Sequence, residues 1–195
     1  MKTTIKRTLL VVVFMLGTFI NYANVNGAST FNDDAKRVKI EFSYAKKGHS
    51  LTIKDKDGAI IYDEKVKNTG NFSKTFDLTA LNNGNYTAEL NKDFEIIVKP
   101  FNVNSGSVTF LTEKEETVFK PVFRTKENIV MISKIAFNKK PLKVAIFYGE
   151  NQIFTEIVEG KKVLNRTYSL SKKQKGEYRV VMSTDNRVYV ETFKI

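Results

Sequence analysis

The sequence repeats one pattern at a distance of 92 positions. The stretches LTALNNGNYTAEL (residues 78–90) and LSKKQKGEYRVVM (residues 170–182) both contain Leu-x5-Gly-x-Tyr. Because the matching residues are mostly apolar or turn residues and keep one register, the sequence predicts two copies of one fold: a first copy, residues 31–103, and a second copy, residues 123–195. With one single-residue adjustment near Gly58, the further identities are Phe31 with Phe123, Val38 with Val130, Ile40 with Ile132, Ile61 with Ile153, Glu64 with Glu156, Val66 with Val158, Thr75 with Thr167, Asp93 with Asp185, Val98 with Val190 and Phe101 with Phe193.

Each copy has the hydrophobic pattern of short β-strands. In VKIEFSY, residues 38–44, apolar side chains alternate with polar ones, as in a strand with one buried face. Asp57-Gly58 separates two such runs and is a strong hairpin signal. No stretch after the first 27 residues has a helical period. The sequence therefore predicts an all-β fold: two tandem small immunoglobulin/fibronectin-III-like antiparallel β-sandwiches after an N-terminal signal peptide.

The repeated Gly-x-Tyr is interpreted as a structural tyrosine corner in each copy. Gly84 and Gly176 are expected to adopt positive φ at the turn that leaves one strand. Tyr86 and Tyr178 then begin the next strand, where the ring would fill the core and the hydroxyl would bond nearby backbone. A tyrosine that contacts a ligand is the alternative, but both tyrosines lie at a core-facing phase of their strands.

A connecting segment, residues 104–122, joins the two copies. Its first residues, 104–107, have a turn composition, whereas residues 108–111 and 118–122 can add edge strands. The segment is therefore not expected to be a floppy linker. We expect the two sandwiches to lie end to end with limited freedom.

Residues 1–27 have the layout of a secretory signal peptide. Basic residues precede an apolar run over residues 9–20, which is shorter than the roughly 20 residues that a membrane-spanning helix needs. Cleavage is expected before Ala28, or after Ala23 as second choice, and a retained anchoring helix is the alternative. No later segment is apolar enough to cross a membrane, so the mature chain is expected in the periplasm, at the cell surface or outside the cell.

Composition excludes some chemistry and suggests a class of partner. The chain has no cysteine, which excludes disulfides, thiolate metal sites and thiol catalysis, and its net charge is +11. The basic excess lies in the second half, in Lys139-Lys140, Lys161-Lys162 and Lys172-Lys173. An anionic surface is therefore a candidate partner, although lysines also occupy solvated turns and protect strand edges. No nucleic acid is expected, because no recognition helix or RNA-binding aromatic motif accompanies the lysines.

The sequence offers no convincing catalytic, cofactor or metal site. His49 is the only histidine; it stands in a turn-like context and is interpreted as a surface residue. The stretch DKDG, residues 55–58, resembles the start of a calcium loop, but Val66 occupies the position of the final glutamate ligand. A hairpin turn explains this stretch better. We therefore expect no catalytic residue, no cofactor and no metal.

Each copy resembles the small immunoglobulin-like modules of exported Gram-negative envelope proteins that use type IX secretion. The C-terminal stretch LSKKQKGEYRVVMSTDNRVYVETFKI is similar to the C-terminal sorting domains of that pathway, through Leu170, Gly176, Tyr178, Val188, Val190 and Ile195. Two features differ from those domains. The last strand carries only Lys194 where a basic pair is usual, and the first copy has the same pattern without being terminal.

These observations favour a non-enzymatic exported protein that serves as an interaction or structural module at the cell envelope. Its partner would be a protein or an envelope glycan, recognised through loops or by strand addition. The alternative is a secretion-linked protein whose second copy is a sorting domain. An uncharacterised hydrolase is a third and weaker alternative.

Overall fold

The computed structural model describes residues 37–160 and 162–195. The predicted signal peptide with its two cleavage sites, the residues from 28 to 36 and Lys161 lie outside the described residues. Within the described part of the chain, no helix is long and apolar enough to span a membrane.

The described residues form antiparallel strands and two short 3-10 turns, at Leu78–Ala80 and Thr112–Lys114. The predicted all-β fold is therefore confirmed. The strands are β1 (Val38–Ala45), β2 (Ser50–Asp55), β3 (Ile60–Lys65), β4 (Gly70–Phe76), β5 (Gly84–Asn91), β6 (Glu95–Asn104), β7 (Ser107–Phe110), β8 (Glu116–Phe119), β9 (Val122–Lys126), β10 (Ile129–Ile135), β11 (Leu142–Tyr148), β12 (Asn151–Val158), β13 (Val163–Ser169), β14 (Glu177–Thr184) and β15 (Arg187–Lys194).

The two copies have the same strand pairing. In the first copy β1 pairs with β4, and the facing sheet has the order β3-β2-β5-β6. In the second copy β10 pairs with β13, and the facing sheet has the order β12-β11-β14-β15. Each pair of sheets encloses its own core, and both sheets of each sandwich contribute side chains to it. This is the arrangement of the immunoglobulin-like sandwiches that the sequence predicts.

Strand register locates the one-residue adjustment in the repeat. Leu51 of β2 faces Leu90, whereas Val144 of β11 faces Met182. Leu90 and Met182 are 92 positions apart, but Leu51 and Val144 are 93 apart. The one extra residue of the first copy therefore lies in the β2–β3 turn, which contains Gly58. Because the matched residues of β1 and β10 are again 92 positions apart, the second copy has one compensating extra residue between β10 and β11.

Two strands of the connecting segment extend the larger sheet of the first copy. β7 pairs with the end of β6, and β8 pairs with its beginning. In the second copy, β9 is added to β10 on the other sheet. The segment thus contributes edge strands, as its sequence predicts. The boundaries assigned to the two copies stay a prediction.

The contact between the copies is not confined to their ends. Ala88 and Leu90 of β5 lie in the core of the first copy, so Glu89 between them points to the opposite face of the sheet. There it accepts hydrogen bonds from Arg187, the first residue of β15. The β14–β15 turn of the second copy therefore contacts the outer face of the sheet in the first copy.

Candidate interaction surface

The two tyrosines of the repeat lie in equivalent buried positions. Tyr86 is 9% exposed and donates a hydrogen bond to the Asn82 carbonyl at 2.8 Å, and Tyr178 is 1% exposed and donates to the Gln174 carbonyl at 2.7 Å. Each ring stacks on the aromatic residue opposite, with centroids 5.4 Å apart on Phe101 and 5.5 Å apart on the equivalent residue of β15. Both rings face a core, so neither offers its face to a ligand.

The two glycines of the repeat differ in backbone conformation. Gly176 has a φ of 146°, and a Cβ built on it would lie 3.0 Å from the ring of Tyr148. Gly84 has no positive φ, and its added Cβ would meet only the Tyr86 ring at 3.8 Å. The expectation of positive φ is therefore wrong for Gly84. The two copies reach the tyrosine through different turns.

His49 is buried, contrary to its interpretation as a surface residue. Its Nδ1 accepts a hydrogen bond from the Lys46 amide at 3.0 Å, and its Nε2 lies 3.5 Å from Asp93 Oδ1. The hydrogen bond from Lys46 to the Asp93 carboxylate lowers the pKa of that carboxyl, and His49 acts in the same direction. The histidine therefore closes the β1–β2 turn against the β5–β6 turn.

The DKDG stretch forms a turn stabilised by a side chain. Asp55 Oδ1 accepts hydrogen bonds from the amides of Asp57, at 3.0 Å, and Ala59, at 2.9 Å. Lys56 is paired with Asp57. Among the described residues there is no group of three or more histidine or carboxylate side chains that could hold a metal ion.

A three-residue ion cluster joins the two copies at Glu89. Arg187 donates to both of its oxygens, at 2.6 and 3.1 Å, and Lys54 donates at 2.7 Å. Burial by itself raises the pKa of Glu89, but the hydrogen bonds from Arg187 and Lys54 outweigh it and lower that pKa overall. The carboxylate is thus paired with two cationic donors, one of them from the other copy, so this cluster links the two copies and leaves no free carboxylate for a ligand.

A second ion cluster lies inside the second copy. The ammonium of Lys134 lies 2.9 Å from Asp185 Oδ2, and both side chains are almost completely buried. Asn138 donates to the other oxygen at 2.7 Å. Burial of Asp185 raises its pKa, but these partners, with Lys140 nearby, lower it overall. These contacts neutralise the charge of Lys134, whose side chain points inward from β10.

A cleft of 170 Å³ lies between the copies. It is formed where the β5–β6 turn and the end of the connecting segment meet β10 and β13. Its walls are mostly apolar and include two lysines: the lining residues are Phe94, Phe119, Lys120, Val122, Ser133, Lys134, Ile135 and Val163.

The last strands of the two copies differ in what covers them. In β6, Ile96 and Val98 are buried in a small cluster with Val118 of β8. Their equivalents in β15 are Val188 and Val190, which are 64% and 53% exposed. Within the described residues β15 pairs only with β14, so its outer edge is open.

Two of the three lysine pairs lie in exposed turns. Lys139, Lys140, Lys172 and Lys173 are all exposed. Lys140 lies 3.6 Å from Asp185, so part of this charge is already paired within the chain. The two described pairs lie in different turns of the second copy, between β10 and β11 and between β13 and β14.

A match to a known family covers the first copy. Residues 32–104 match the family described as "Secretion system C-terminal sorting domain". The resemblance to sorting domains is therefore confirmed for the first copy, whereas the match does not cover the C-terminal stretch whose residues predict it. The comparison with curated proteins found no match.

Several solved structures were matched at low similarity. A structure titled "Biofilm associated protein - BSP domain" has 13% identity and a TM-score of 0.28, and the match covers 83% of this chain and 27% of that one. "Human OSCAR ligand-binding domain" has 9% identity and a TM-score of 0.25, covering 82% and 89%. "Drosophila OTK, extracellular domains 3-5" has 8% identity and a TM-score of 0.22, covering 80% and 90%. This chain thus spans about a quarter of the first structure, and at these TM-scores the similarities carry no functional argument.

The sequence did not point to Glu89, Arg187, Lys120 or Lys134. One signal was available: Lys134 and Glu89 stand where the repeat places Phe42 and Val181 in the other copy. A charge that replaces an apolar residue of the repeat marks a position at which the two copies have different surroundings.

Proposed function

We propose that this chain is a non-enzymatic exported protein that acts as an interaction module at the cell envelope and binds a partner strand at the open edge of β15. The match of residues 32–104 to a sorting domain supports export. The open edge carries the proposal, because the equivalent edge of the first copy is covered by strands of the chain itself.

Among the described residues, the outer edge of β15 has no pairing strand, and the first copy shows which of its backbone groups face that edge. Leu111 donates to the Pro100 carbonyl, so the backbone groups of Pro100 face the outer edge of β6. The backbone groups of every second residue in a strand point to the same edge. By the repeat, the residues of β15 whose backbone groups face its outer edge are Val188, Val190 and Thr192. An exposed row of such groups is a template for strand addition.

The first copy also indicates what the partner strand would look like. β8 runs antiparallel to β6 and places Val118 against Ile96 and Val98. A partner on β15 would run antiparallel and place an apolar side chain against Val188 and Val190. Covering those two side chains would contribute apolar burial in addition to backbone hydrogen bonds.

A peptide that copies β8 provides the test. The peptide Glu-Glu-Thr-Val-Phe-Lys, residues 115–120, is titrated into the mature chain while backbone amide NMR shifts are followed. We expect the shifts to be concentrated in β15 and to disappear in the variant Val190→Pro, which removes one outward N–H. The first copy already carries Pro100 at the next outward position of the equivalent strand, so the variant is expected to fold.

A matched control removes apolar surface from a different edge. Ile157→Thr on β12 changes another exposed side chain and should leave peptide binding unchanged. Shifts that spread over β12 as much as over β15, or binding that survives Val190→Pro, would refute recognition at this edge.

A sorting role is the second candidate, and the family match favours it. Since the match lies on the first copy, export can depend on either copy. Removing residues 123–195 and, separately, residues 32–104, and then following the remaining chain outside the cell, would separate the two possibilities. Export that persists without residues 123–195 rules out the second copy as the sorting signal.

A further inference from the structure

Two lysines are among the residues that line the cleft between the copies, and their ammonium groups are in different states. Lys134 is held at 2.9 Å by Asp185 and is therefore neutralised. Lys120 forms no ion pair or side-chain hydrogen bond within the described residues, although its backbone amide is fixed by the Phe94 carbonyl at 2.9 Å. Of the two lysines that line the cleft, Lys120 is thus the one that the described part of the chain leaves without an ion pair.

The surroundings of Lys120 are apolar. Phe119 precedes it in sequence and Val122 follows two positions later, and Ile135 and Val163 line the cleft from the second copy. Partial burial lowers the pKa of Lys120, and the charge of Asp93 offsets that effect only in part. An ammonium that is removed from water without an acceptor costs free energy, and an incoming anion would recover that cost.

The size of the cleft limits its occupant. A protein cavity of about 150 Å³ lined by apolar side chains admits benzene, and the cleft here measures 170 Å³. The apolar part of a ligand would therefore be about the size of one aromatic ring. Phe94 and Phe119 contribute aromatic side chains to its lining.

We propose that this cleft binds a small monocarboxylate with an apolar body, whose carboxylate pairs with Lys120 while its body packs between Phe119 and Val163. One unpaired cation beside apolar walls is complementary to one anion on an apolar group. Because both copies contribute walls, the site depends on their mutual packing. It lies apart from the open edge of β15, so either proposal can fail without the other.

The first experiment separates charge from apolar contact by means of the ligand. Benzoate, benzamide and acetate are each titrated into the mature chain and followed by NMR. Benzoate carries both the ring and the carboxylate of the proposed ligand, benzamide carries only the ring, and acetate carries only the carboxylate. We expect benzoate to shift the amides of Lys120 and Val163, and to bind about tenfold more tightly than either of the others. Benzamide binding as tightly as benzoate would overturn the role of the charge.

The second experiment uses paired variants. Lys120→Met removes the charge and keeps an unbranched apolar side chain, and should weaken benzoate binding about tenfold while leaving benzamide unchanged. Lys114→Met removes an exposed lysine of the connecting segment and should have no effect. Equal benzoate affinity in the two variants would overturn the proposal.

A third variant tests the cleft independently of the lysine. Val163→Phe fills the cleft with an aromatic ring and should abolish benzoate binding. Ile157→Phe makes the same kind of change at an exposed position outside the cleft lining and should leave binding intact. Melting temperatures within a few degrees of the unmodified chain would show that both variants fold. Benzoate binding retained in Val163→Phe would place the ligand elsewhere.

A comparison between ligands identifies the source of the carboxylate. N-acetylphenylalanine also carries a phenyl ring and a carboxylate, and it resembles the C-terminal residue of a peptide. Tighter binding of this compound than of benzoate would assign the site to peptide chain ends, and the reverse order would assign it to free acids. In both cases the carboxylate pairs with Lys120.

Discussion

The first copy covers its last strand with two further strands of its own chain, whereas the second copy leaves the equivalent strand open within the described residues. The covering strands bury Ile96 and Val98, while Val188 and Val190 stay exposed. The apolar character of these positions is the same in both copies, so it reflects the fold. The difference in burial reflects the added strands β7 and β8, and the uncovered edge of β15 is the place where we propose that a partner binds.

The two copies also differ in the β5–β6 and β14–β15 turns. Asp93 is half-exposed and lies near Lys46 and His49, whereas Asp185 is buried against Lys134. The same repeat position therefore closes a solvated turn in one copy and neutralises a buried ammonium in the other. The second copy is accordingly more sensitive to the loss of this carboxylate.

Truncation of the corner tyrosines should have the largest effect in either copy. Tyr178→Ala and Tyr86→Ala each remove a buried ring, and each is expected to lower the free energy of unfolding by about 3–5 kcal/mol. Urea denaturation measures this loss. The Phe variants keep the ring and remove one hydrogen bond, so they should cost only about 1 kcal/mol. An unchanged melting temperature in either Ala variant would contradict the corner assignment for that copy.

Replacing the turn aspartate should destabilise the second copy more than the first. Asp185→Ala leaves Lys134 buried without its partner, and is expected to cost about 3 kcal/mol, toward the lower end for breaking a buried pair. Asp93→Ala breaks exposed contacts and should cost less than about 1 kcal/mol. Equal losses in the two variants, measured by urea denaturation, would mean that Lys134 has another acceptor.

Acidification provides an independent check on Asp185. Its pKa in the folded chain lies below the ordinary value of 3.8, so the folded state holds this proton less tightly than the unfolded state. The stabilisation is therefore complete above pH 3.8 and is lost as the pH falls through the lower folded pKa. The difference in unfolding free energy between the unmodified chain and Asp185→Ala should shrink over that range. A difference that stays constant down to pH 2 would contradict the ion pair.

The same substitution at the two repeat glycines should change stability in opposite directions. Gly176→Ala forces a side chain into a positive φ and against Tyr148, and should cost about 1–3 kcal/mol. Gly84 has ordinary backbone and room for a methyl group, so Gly84→Ala should add about 0.4–1 kcal/mol by restricting the unfolded chain. Thermal unfolding measures both. A loss at Gly84 as large as that at Gly176 would show that the two turns are alike after all.

The alternation of apolar residues was sufficient to predict the strands, because one buried face imposes a period of two on any such sheet. The repeat was sufficient to predict that Tyr86 and Tyr178 are equivalent. Contacts between the copies were not predictable, since the pairing of Glu89 with Arg187 depends on how two folded units meet. The burial of His49 depends on a neighbouring turn that approaches it in space, and a local pattern does not report this.

A contact between one tyrosine and one phenylalanine occurs at the same repeat positions in both copies, but the positions of the two residues are interchanged. In the first copy Tyr62 contacts Phe76 with ring centroids 4.8 Å apart, and its hydroxyl bonds Glu64. In the second copy Phe154 contacts Tyr168 at 5.2 Å, and the tyrosine bonds Glu156 at 3.0 Å. The tyrosine is thus on β3 in the first copy and on β13 in the second, whereas the glutamate that accepts its hydrogen bond occupies the same repeat position in both.

This exchange permits a small but specific test in the first copy. Tyr62→Phe removes the hydrogen bond to Glu64 and should cost about 1 kcal/mol. The double variant Tyr62→Phe with Phe76→Tyr reproduces the arrangement of the second copy, and should recover most of that loss, because Lys74 holds Glu64 as Arg166 holds its counterpart. Urea denaturation of the single and double variants measures the recovery. No recovery would mean that a tyrosine hydroxyl at position 76 does not reach the Glu64 carboxylate. The distance between the two sheets at this aromatic pair would then differ between the two sandwiches.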